Sequence, residues 1–143
     1  MYIIIDVNVF MEIFGHAQTC PSLLSEVYDR NRINVIYGGY LTEEYWRSES
    51  IRKIVITLDR AGKAKKINDR AVRNETIVVT EMDICVSDDQ HVIALARVGE
   101  SRLLCTNDTD LMKDFKNKKL INKPRGKIYN HDEHERMIKE ILA

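Results

Sequence analysis

The chain has few cysteines, no long apolar run and no excess of charge of either sign. Its three cysteines, Cys20, Cys85 and Cys105, lie far apart and form no Cys-x-x-Cys pair, which gives no zinc-ligand spacing and is typical of a reducing compartment. No stretch approaches the ~18 apolar residues that a membrane-spanning helix needs. The amino-terminal apolar run ends at Asp6 and has no basic region, so we do not expect a signal peptide. These absences predict a cytoplasmic protein with no membrane partner.

The charges are balanced. Lys and Arg together number 22, and Asp and Glu also number 22, so the formal net charge is zero. This balance argues against a uniformly basic nucleic-acid-binding protein, but it does not exclude local basic patches. With 143 residues, of which 44% are hydrophobic and 31% charged, the chain has the composition of a globular protein. We therefore expect one domain, 1–143, that buries about two-thirds of its unfolded surface.

Short apolar segments alternate with helical patterns along the chain. The predicted strands are residues 2–5, 33–37, 76–80, 102–106 and 127–129. The predicted helices are residues 20–30, 42–62 with Thr42 as N-cap, 87–99, 107–115 and a last helix from about 132. The basic segment 63–73 is expected to be exposed. This alternation predicts an α/β fold, a three-layer α/β/α sandwich with a central parallel sheet.

Four acids fall where such a sheet would bring them together. Asp6 and Asp108 directly follow predicted strands, and Glu44 and Asp89 lie near the starts of predicted helices. In an open parallel sheet, functional groups collect beyond the carboxyl ends of the strands. Since the starts of the following helices lie at the same edge, the four acids are predicted to meet in one pocket.

Carboxylates crowded into one pocket repel one another, which raises their pKa values unless a cation is present. Mg²⁺ or Mn²⁺ relieves the repulsion, because hard divalent cations take oxygen ligands. Such a site activates a water and holds a phosphodiester in line for attack. The pattern therefore favours phosphate-ester hydrolysis over chemistry that needs a side-chain nucleophile.

The acids differ in how strongly each indicates a site. Asp6 directly follows a run of isoleucines, and a buried charge must be paired or bound to metal. Taken singly, three others are also typical of helix caps or solvated faces: Glu44, Asp89 and Asp110. Three further acids are predicted to be surface neighbours: Glu43, Asp88 and Asp114.

Four segments form an ordered set of motifs. They are Ile3–Phe10 with its Asp-x-Asn, Leu41–Tyr45 with its glutamate, Asp89–Ala96 with an acid opening an Ala-rich helix, and Leu103–Asp110 with its Thr-Asn-Asp. In order and spacing this set resembles the motifs of PIN-domain nucleases, over residues 2 to about 115. The resemblance implies a PIN-like fold and an endoribonuclease, a hydrolase that cleaves RNA phosphodiester bonds with Mg²⁺ or Mn²⁺.

The resemblance also implies roles for single residues. Asp6 and Asp108 would be the principal metal ligands, Glu44 and Asp89 would complete the catalytic pocket directly or through water, and Asp110 would be an extra ligand. Three polar residues would hold the ligands or the scissile phosphate by hydrogen bonds: Asn8, Thr106 and Asn107.

The register of two of these acids stays open, because Glu43 adjoins Glu44 and Asp88 adjoins Asp89. In the family pattern, the spacing from Leu41 to the glutamate favours Glu44, and the spacing from the aspartate to Ala96 favours Asp89.

Two basic runs, one at 113–127 and one at 60–73, provide candidate RNA contacts. Lys116 and Lys119 are the proposed substrate-binding cations, and either run is also compatible with a solvated loop. Tyr45, Trp46 and Tyr129 are candidates for base stacking, although core packing is favoured for Trp46. His131 and His134 are three residues apart but lack further zinc ligands, so we expect a pair at a helix start.

The resemblance leaves the biological role open. Many similar single-domain proteins are toxins with a protein antitoxin, others process RNA, and dimers are frequent among them. A non-catalytic RNA-binding or assembly module is the alternative. Other phosphate-handling folds fit less well: a haloacid-dehalogenase-like phosphatase needs an acid where Asn8 stands, a Toprim-type enzyme needs a glutamate in place of Asp6, and a receiver domain needs a lysine after residues 102–106.

Overall fold

The computed structural model describes residues 1–142, with side chains through residue 141. Its five strands are β1 (Tyr2–Ile5), β2 (Asn34–Tyr37), β3 (Ala64–Lys66), β4 (Leu103–Cys105) and β5 (Lys127–Ile128). Within the described residues there are eight α-helices: α1 (Val7–Phe14), α2 (Pro21–Tyr28), α3 (Tyr40–Trp46), α4 (Glu49–Arg60), α5 (Asp69–Met82), α6 (Gln90–Gly99), α7 (Thr109–Phe115) and α8 (His134–Leu142). A short 3-10 helix, His131–Glu133, precedes α8.

The strands form one parallel sheet in the order β3-β2-β1-β4-β5. Strand β1 is central because Ile3, Ile4 and Ile5 are all fully buried, so both of its faces are covered. Ile3 pairs with Val35 on one side and with Leu103 on the other. The predicted α/β class and the parallel sheet are confirmed, and the architecture is compatible with a three-layer sandwich.

The strand order creates a switch point between β1 and β4. From β1 the chain proceeds to β2 and β3 on one side, and it returns to β4 and β5 on the other. In open α/β sheets, ligands bind in the crevice at such a point, beyond the carboxyl ends of the strands. The residues that follow β1 and β4, including Asp6 and Thr106, therefore lie where a site is expected.

The predicted strand at 76–80 is wrong, because these residues belong to α5. The hydroxyls of Thr76 and Thr80 donate to the carbonyls of the fourth preceding residues, as threonine does within a helix. Val72 and Val79, seven residues apart, are buried on one face of α5, which packs against α6. Packing on α6 thus overrides the strand preference of this β-branched run. The third strand lies instead at Ala64–Lys66, inside the segment predicted to be exposed.

The long helix predicted over 42–62 is two helices, and Thr42 lies inside α3 rather than at its N-cap. Ser48 begins α4 by accepting a hydrogen bond from the Ile51 N–H at 3.3 Å. Gly39 stands at the N-cap of α3 with φ of +58°, and a Cβ there would lie 2.6 Å from the side chain of Val72. Glycine is required at this turn, which carries the chain directly from β2 into α3.

None of the helices in residues 1–142 has the length and apolar character needed to cross a membrane.

Candidate active site

Asp6 lies at the carboxyl end of β1, where its N–H donates to the Cys105 carbonyl of the neighbouring strand at 2.9 Å. Its side chain is only 5% exposed and caps α1. The hydroxyl of Thr106 donates to its carboxylate at 2.6 Å, and no described cation forms an ion pair with it. A buried carboxylate without a counter-charge is costly unless a cation binds to it.

Thr106 also joins Asp6 to Asp108. The Thr106 hydroxyl oxygen accepts a hydrogen bond from the Asp108 N–H at 3.0 Å while its hydrogen points to Asp6. Asp108 caps α7, and one of its carboxylate oxygens accepts from the N–H groups of Asp110 at 2.9 Å and Leu111 at 3.1 Å. Asp6 and Asp108 therefore lie at the same edge of the sheet, as predicted, bridged by a single threonine.

Glu44 reaches the same edge from α3. Its Oε1 lies 2.7 Å from Nε2 of His91, which is buried in the first turn of α6. The next residue, Tyr45, is fully buried and its hydroxyl donates to the carbonyl of Ile5, the last residue of β1. Burial first, and then the negative charges of Asp6 and Glu44, raise the pKa of this phenol well above its usual range. Tyr45 thus fastens α3 to the end of β1 and places Glu44 near Asp6.

Asp89 shows that the four acids share one electrostatic environment. Burial raises the pKa of its carboxyl group, and the charges of Asp6, Glu44 and Asp108 raise it further, whereas His91 lowers it. Asp89 stands at the N-cap of α6, but its side chain makes no capping hydrogen bond. Capping of α6 therefore does not explain why an aspartate stands at this position, and its carboxylate is available to bind a ligand.

Burial distinguishes between the adjacent acids. Glu43 is exposed, whereas the neighbouring Glu44 is half-buried against His91. Asp88 is likewise exposed, whereas Asp89 is half-buried and interacts with the other acids of the pocket. The structure therefore brings Glu44 and Asp89, rather than their neighbours, to this edge of the sheet.

The prediction that Asp114 is a surface residue is wrong. Asp114 is only 2% exposed, and its carboxylate accepts hydrogen bonds from the Val86 N–H, the Ser87 N–H and the Ser87 hydroxyl. The Ser87 oxygen in turn accepts from the Asp89 N–H at 3.3 Å. Asp114 fixes the loop that presents Asp89, and its place on the buried face of α7 with Leu111 is the sequence signal that would have indicated burial.

His91 is the other residue that sequence reasoning missed. It follows Asp89 by two residues, but a lone histidine in an apolar helix carries no pairing signal. It becomes the partner of Glu44 only because α3 approaches α6 in the folded chain. The exposed ring of Tyr40 also packs edge-on against the His91 ring, with centroids 5.1 Å apart.

The remaining predicted site residues are found at the rim. Asn8, Asn107 and Asp110 are exposed at the starts of α1 and α7, and Lys116 and Lys119 are exposed beyond the end of α7. Asn8 approaches Asp6 only through its backbone N–H, at 3.5 Å.

The stacking prediction for Tyr45 is wrong, because this ring is fully buried, and Tyr129 is only 8% exposed. The core packing favoured for Trp46 is also wrong, because this ring is 37% exposed and stacks on Tyr37, with ring centroids 6.0 Å apart. His134 is buried, and its Nδ1 forms a hydrogen bond with the Tyr129 hydroxyl at 2.9 Å. The histidine at the start of α8 is therefore a packing residue.

The donor set of the pocket fits a hard divalent cation. All four acids supply oxygen, Asp6 is buried without a counter-charge, and the other three charges raise the pKa of Asp89. Across residues 1–142, no group of three or more His, Cys, Asp or Glu side chains is arranged so that it could hold a metal ion by itself. Mg²⁺ commonly keeps several waters beside one or two carboxylates, so an open, mutually repelling set is compatible with it.

No family model matches the chain, and neither the curated proteins nor the solved structures include a significantly similar one. The site is therefore interpreted from its own geometry and electrostatics.

Proposed function

We propose that this chain is a metal-dependent endoribonuclease of the PIN type. The observation that carries the proposal is Asp6, which is buried without a counter-charge and shares Thr106 with Asp108. The charges of Asp6, Glu44 and Asp108 also raise the pKa of Asp89, against the lowering by His91. Mutual repulsion in a crevice is characteristic of functional sites, where a ligand offsets its cost. A divalent cation among carboxylates, at the switch point of a parallel sheet, suits hydrolysis of a phosphodiester.

The metal is assigned to Asp6 and Asp108 as principal ligands, with Glu44 and Asp89 binding directly or through water and Asp110 as an extra ligand at the rim. When bound, Mg²⁺ or Mn²⁺ supplies an activated water and offsets the charge of the scissile phosphate.

The surrounding residues hold these carboxylates in place. Thr106 orients the Asp6 carboxylate, and His91 orients that of Glu44. Ser87, held by Asp114, fixes the backbone at Asp89. The exposed amides of Asn8 and Asn107, one on each side of the crevice, are proposed to donate hydrogen bonds to the phosphate oxygens.

RNA is the proposed substrate because exposed lysines, beginning with Lys116 and Lys119, follow α7, the helix that Asp108 caps. A cytoplasmic location is proposed with it, and two roles fit the activity: a toxin with a protein antitoxin, as a monomer or a homodimer, and an RNA-processing enzyme.

The test is cleavage of an end-labelled single-stranded RNA by the purified chain with Mg²⁺ or Mn²⁺. We expect endonucleolytic products that disappear in EDTA and in the Asp6→Asn variant. Asp88→Asn, which removes an exposed acid beside the pocket, is the matched control and should retain full activity. Cleavage that persists in EDTA contradicts the proposal, and RNA binding without cleavage favours the non-catalytic module.

A further inference from the structure

A cleft of about 700 Å³ lies on the side of Thr106, the residue that hydrogen-bonds to Asp6. It lies over β5, between the end of α7 and the start of α8, and one of its lining residues is Thr106, which donates to Asp6. Thr106 therefore contacts both the cleft and the carboxylate of Asp6. Apart from Thr106, the residues that line the cleft lie outside the four predicted motifs.

Four cationic side chains line the cleft: Lys116, Arg125, Lys127 and Arg136. Lys127 pairs with Glu140, and Arg136 pairs with Glu133 at 2.7 Å. Lys116 and Arg125 are exposed and form no ion pair with any residue in 1–142. The cleft thus has an excess of positive charge, although the whole chain is formally neutral.

The walls of the cleft are not purely polar. Met112, Ile128 and Met137 also line it, between the cations. A ligand that suits this surface carries repeated negative charges and flat apolar groups, as a single-stranded nucleic acid does with its phosphates and bases.

We propose that this cleft binds the backbone of the RNA strand on one side of the scissile phosphate, with Lys116 and Arg125 contacting phosphates directly. The inference rests on the proposed nuclease function and adds to it the substrate's path. Because Thr106 lines the cleft and hydrogen-bonds to Asp6, a strand bound in the cleft passes beside the acidic pocket. An acidic peptide would instead bring further carboxylates toward the four carboxylates of the acidic pocket, which already repel one another.

The first experiment measures binding without cleavage. The Asp6→Asn chain is titrated with a single-stranded RNA oligonucleotide at several salt concentrations, with and without the added pair Lys116→Ala and Arg125→Ala. Each lost phosphate contact should reduce the slope of log K against log salt by ~0.7, so the pair should reduce it by ~1.4. The control pair Arg52→Ala and Lys53→Ala removes two exposed cations of α4, which do not line the cleft, and should leave the slope unchanged.

An unchanged slope in the Lys116 and Arg125 variant would overturn the proposal. So would equal loss of affinity for a polyglutamate peptide, since that would indicate an acidic protein as the occupant. Circular dichroism of each variant confirms that the fold is retained.

The second experiment separates the cleft from the chemistry. With Asp6 restored, the Lys116→Ala and Arg125→Ala pair should raise KM for RNA by a larger factor than KM for bis(p-nitrophenyl) phosphate, because that small diester contacts only the acidic pocket. The control pair Arg52→Ala and Lys53→Ala should change neither KM. Equal loss on both substrates contradicts the cleft as a substrate path. If the unmodified chain cleaves neither substrate, the nuclease proposal fails, and the salt slope still decides whether the cleft binds RNA.

Discussion

The buried carboxylate of Asp114 accepts the hydroxyl hydrogen of Ser87 at 2.6 Å, although the two residues are 27 apart in sequence. Two backbone N–H groups, those of Val86 and Ser87, complete its hydrogen bonds at 2.8 and 3.0 Å. One acid outside the pocket therefore fixes the loop that carries Asp89, which belongs to the pocket.

Replacing Asp114 should destabilise the protein and disturb the site together. Asp114→Ala leaves buried donors without a partner, which we expect to lower the free energy of unfolding by about 3 kcal/mol. Urea denaturation measures the loss, and Asp132→Ala, which removes an exposed acid, serves as the control. A change below about 0.5 kcal/mol, the range of ordinary surface substitutions, would contradict the assigned role.

Thr106 is expected to act on activity more than on stability. Thr106→Val removes the hydroxyl that links Asp6 to Asp108 while keeping the shape of the side chain. Residues that orient metal ligands typically contribute about 10–100-fold in metal affinity or activity, and we expect a loss of that size in RNA cleavage. Thr106→Ser keeps the hydroxyl and should retain most of the rate, whereas equal loss in both variants would mean that the hydroxyl is not responsible.

Metal binding should stabilise the fold. Mg²⁺ or Mn²⁺ at a hundred times its dissociation constant is expected to add about 2.7 kcal/mol to the free energy of unfolding, and EDTA should reverse this. The variants Glu44→Gln and Glu43→Gln form a matched pair, since only Glu44 is held at the pocket by His91. Differential scanning fluorimetry measures the metal-induced shift in melting temperature of each. Equal metal-induced shifts in the two variants would exclude Glu44 from the metal site.

A third buried carboxylate, that of Glu26 on α2, should govern the stability of the protein in acid. Glu26 is only 1% exposed and bonds to Arg32 at 2.7 Å and to His134 at 3.3 Å. The hydrogen bond from Arg32 lowers its pKa below the ordinary 4.5, burial opposes this, and His134 adds to the lowering. Because the folded-state pKa is depressed, the stabilisation is present above pH 4.5 and is lost as the pH falls through the folded-state value.

Glu26→Gln should therefore be less stable at neutral pH and should show a weaker decline of stability below pH 4.5. Urea unfolding between pH 3 and 7 compares it with the unmodified chain. Parallel pH profiles would contradict the assignment. The Arg30 pair adds less, since its 3.5 Å contact is with a half-exposed guanidinium.

The elements whose signals are local follow from the sequence. The isoleucine run of β1 with Asp6 after it, the start of α6 after Asp89, and the end of β4 before Asp108 all lie where the patterns predict them. Hydrophobic burial and strand-to-helix turns act over a few residues, so a window of sequence contains their cause.

The tertiary structure alone determined what depends on distant partners. The β-branched residues 76–80 became helical because α5 packs on α6, and Asp114 became buried because it meets the loop at Ser87. Glu44 contacts His91 only in the folded chain. Likewise, only folding brings the cations of residues 116–136 together along one cleft beside Thr106. The sequence by itself determined which residues carry charge and where the strands β1, β2 and β4 lie. Which of those charges meet is decided by long-range packing, because electrostatic repulsion and hydrogen bonding depend on distance in space rather than along the chain.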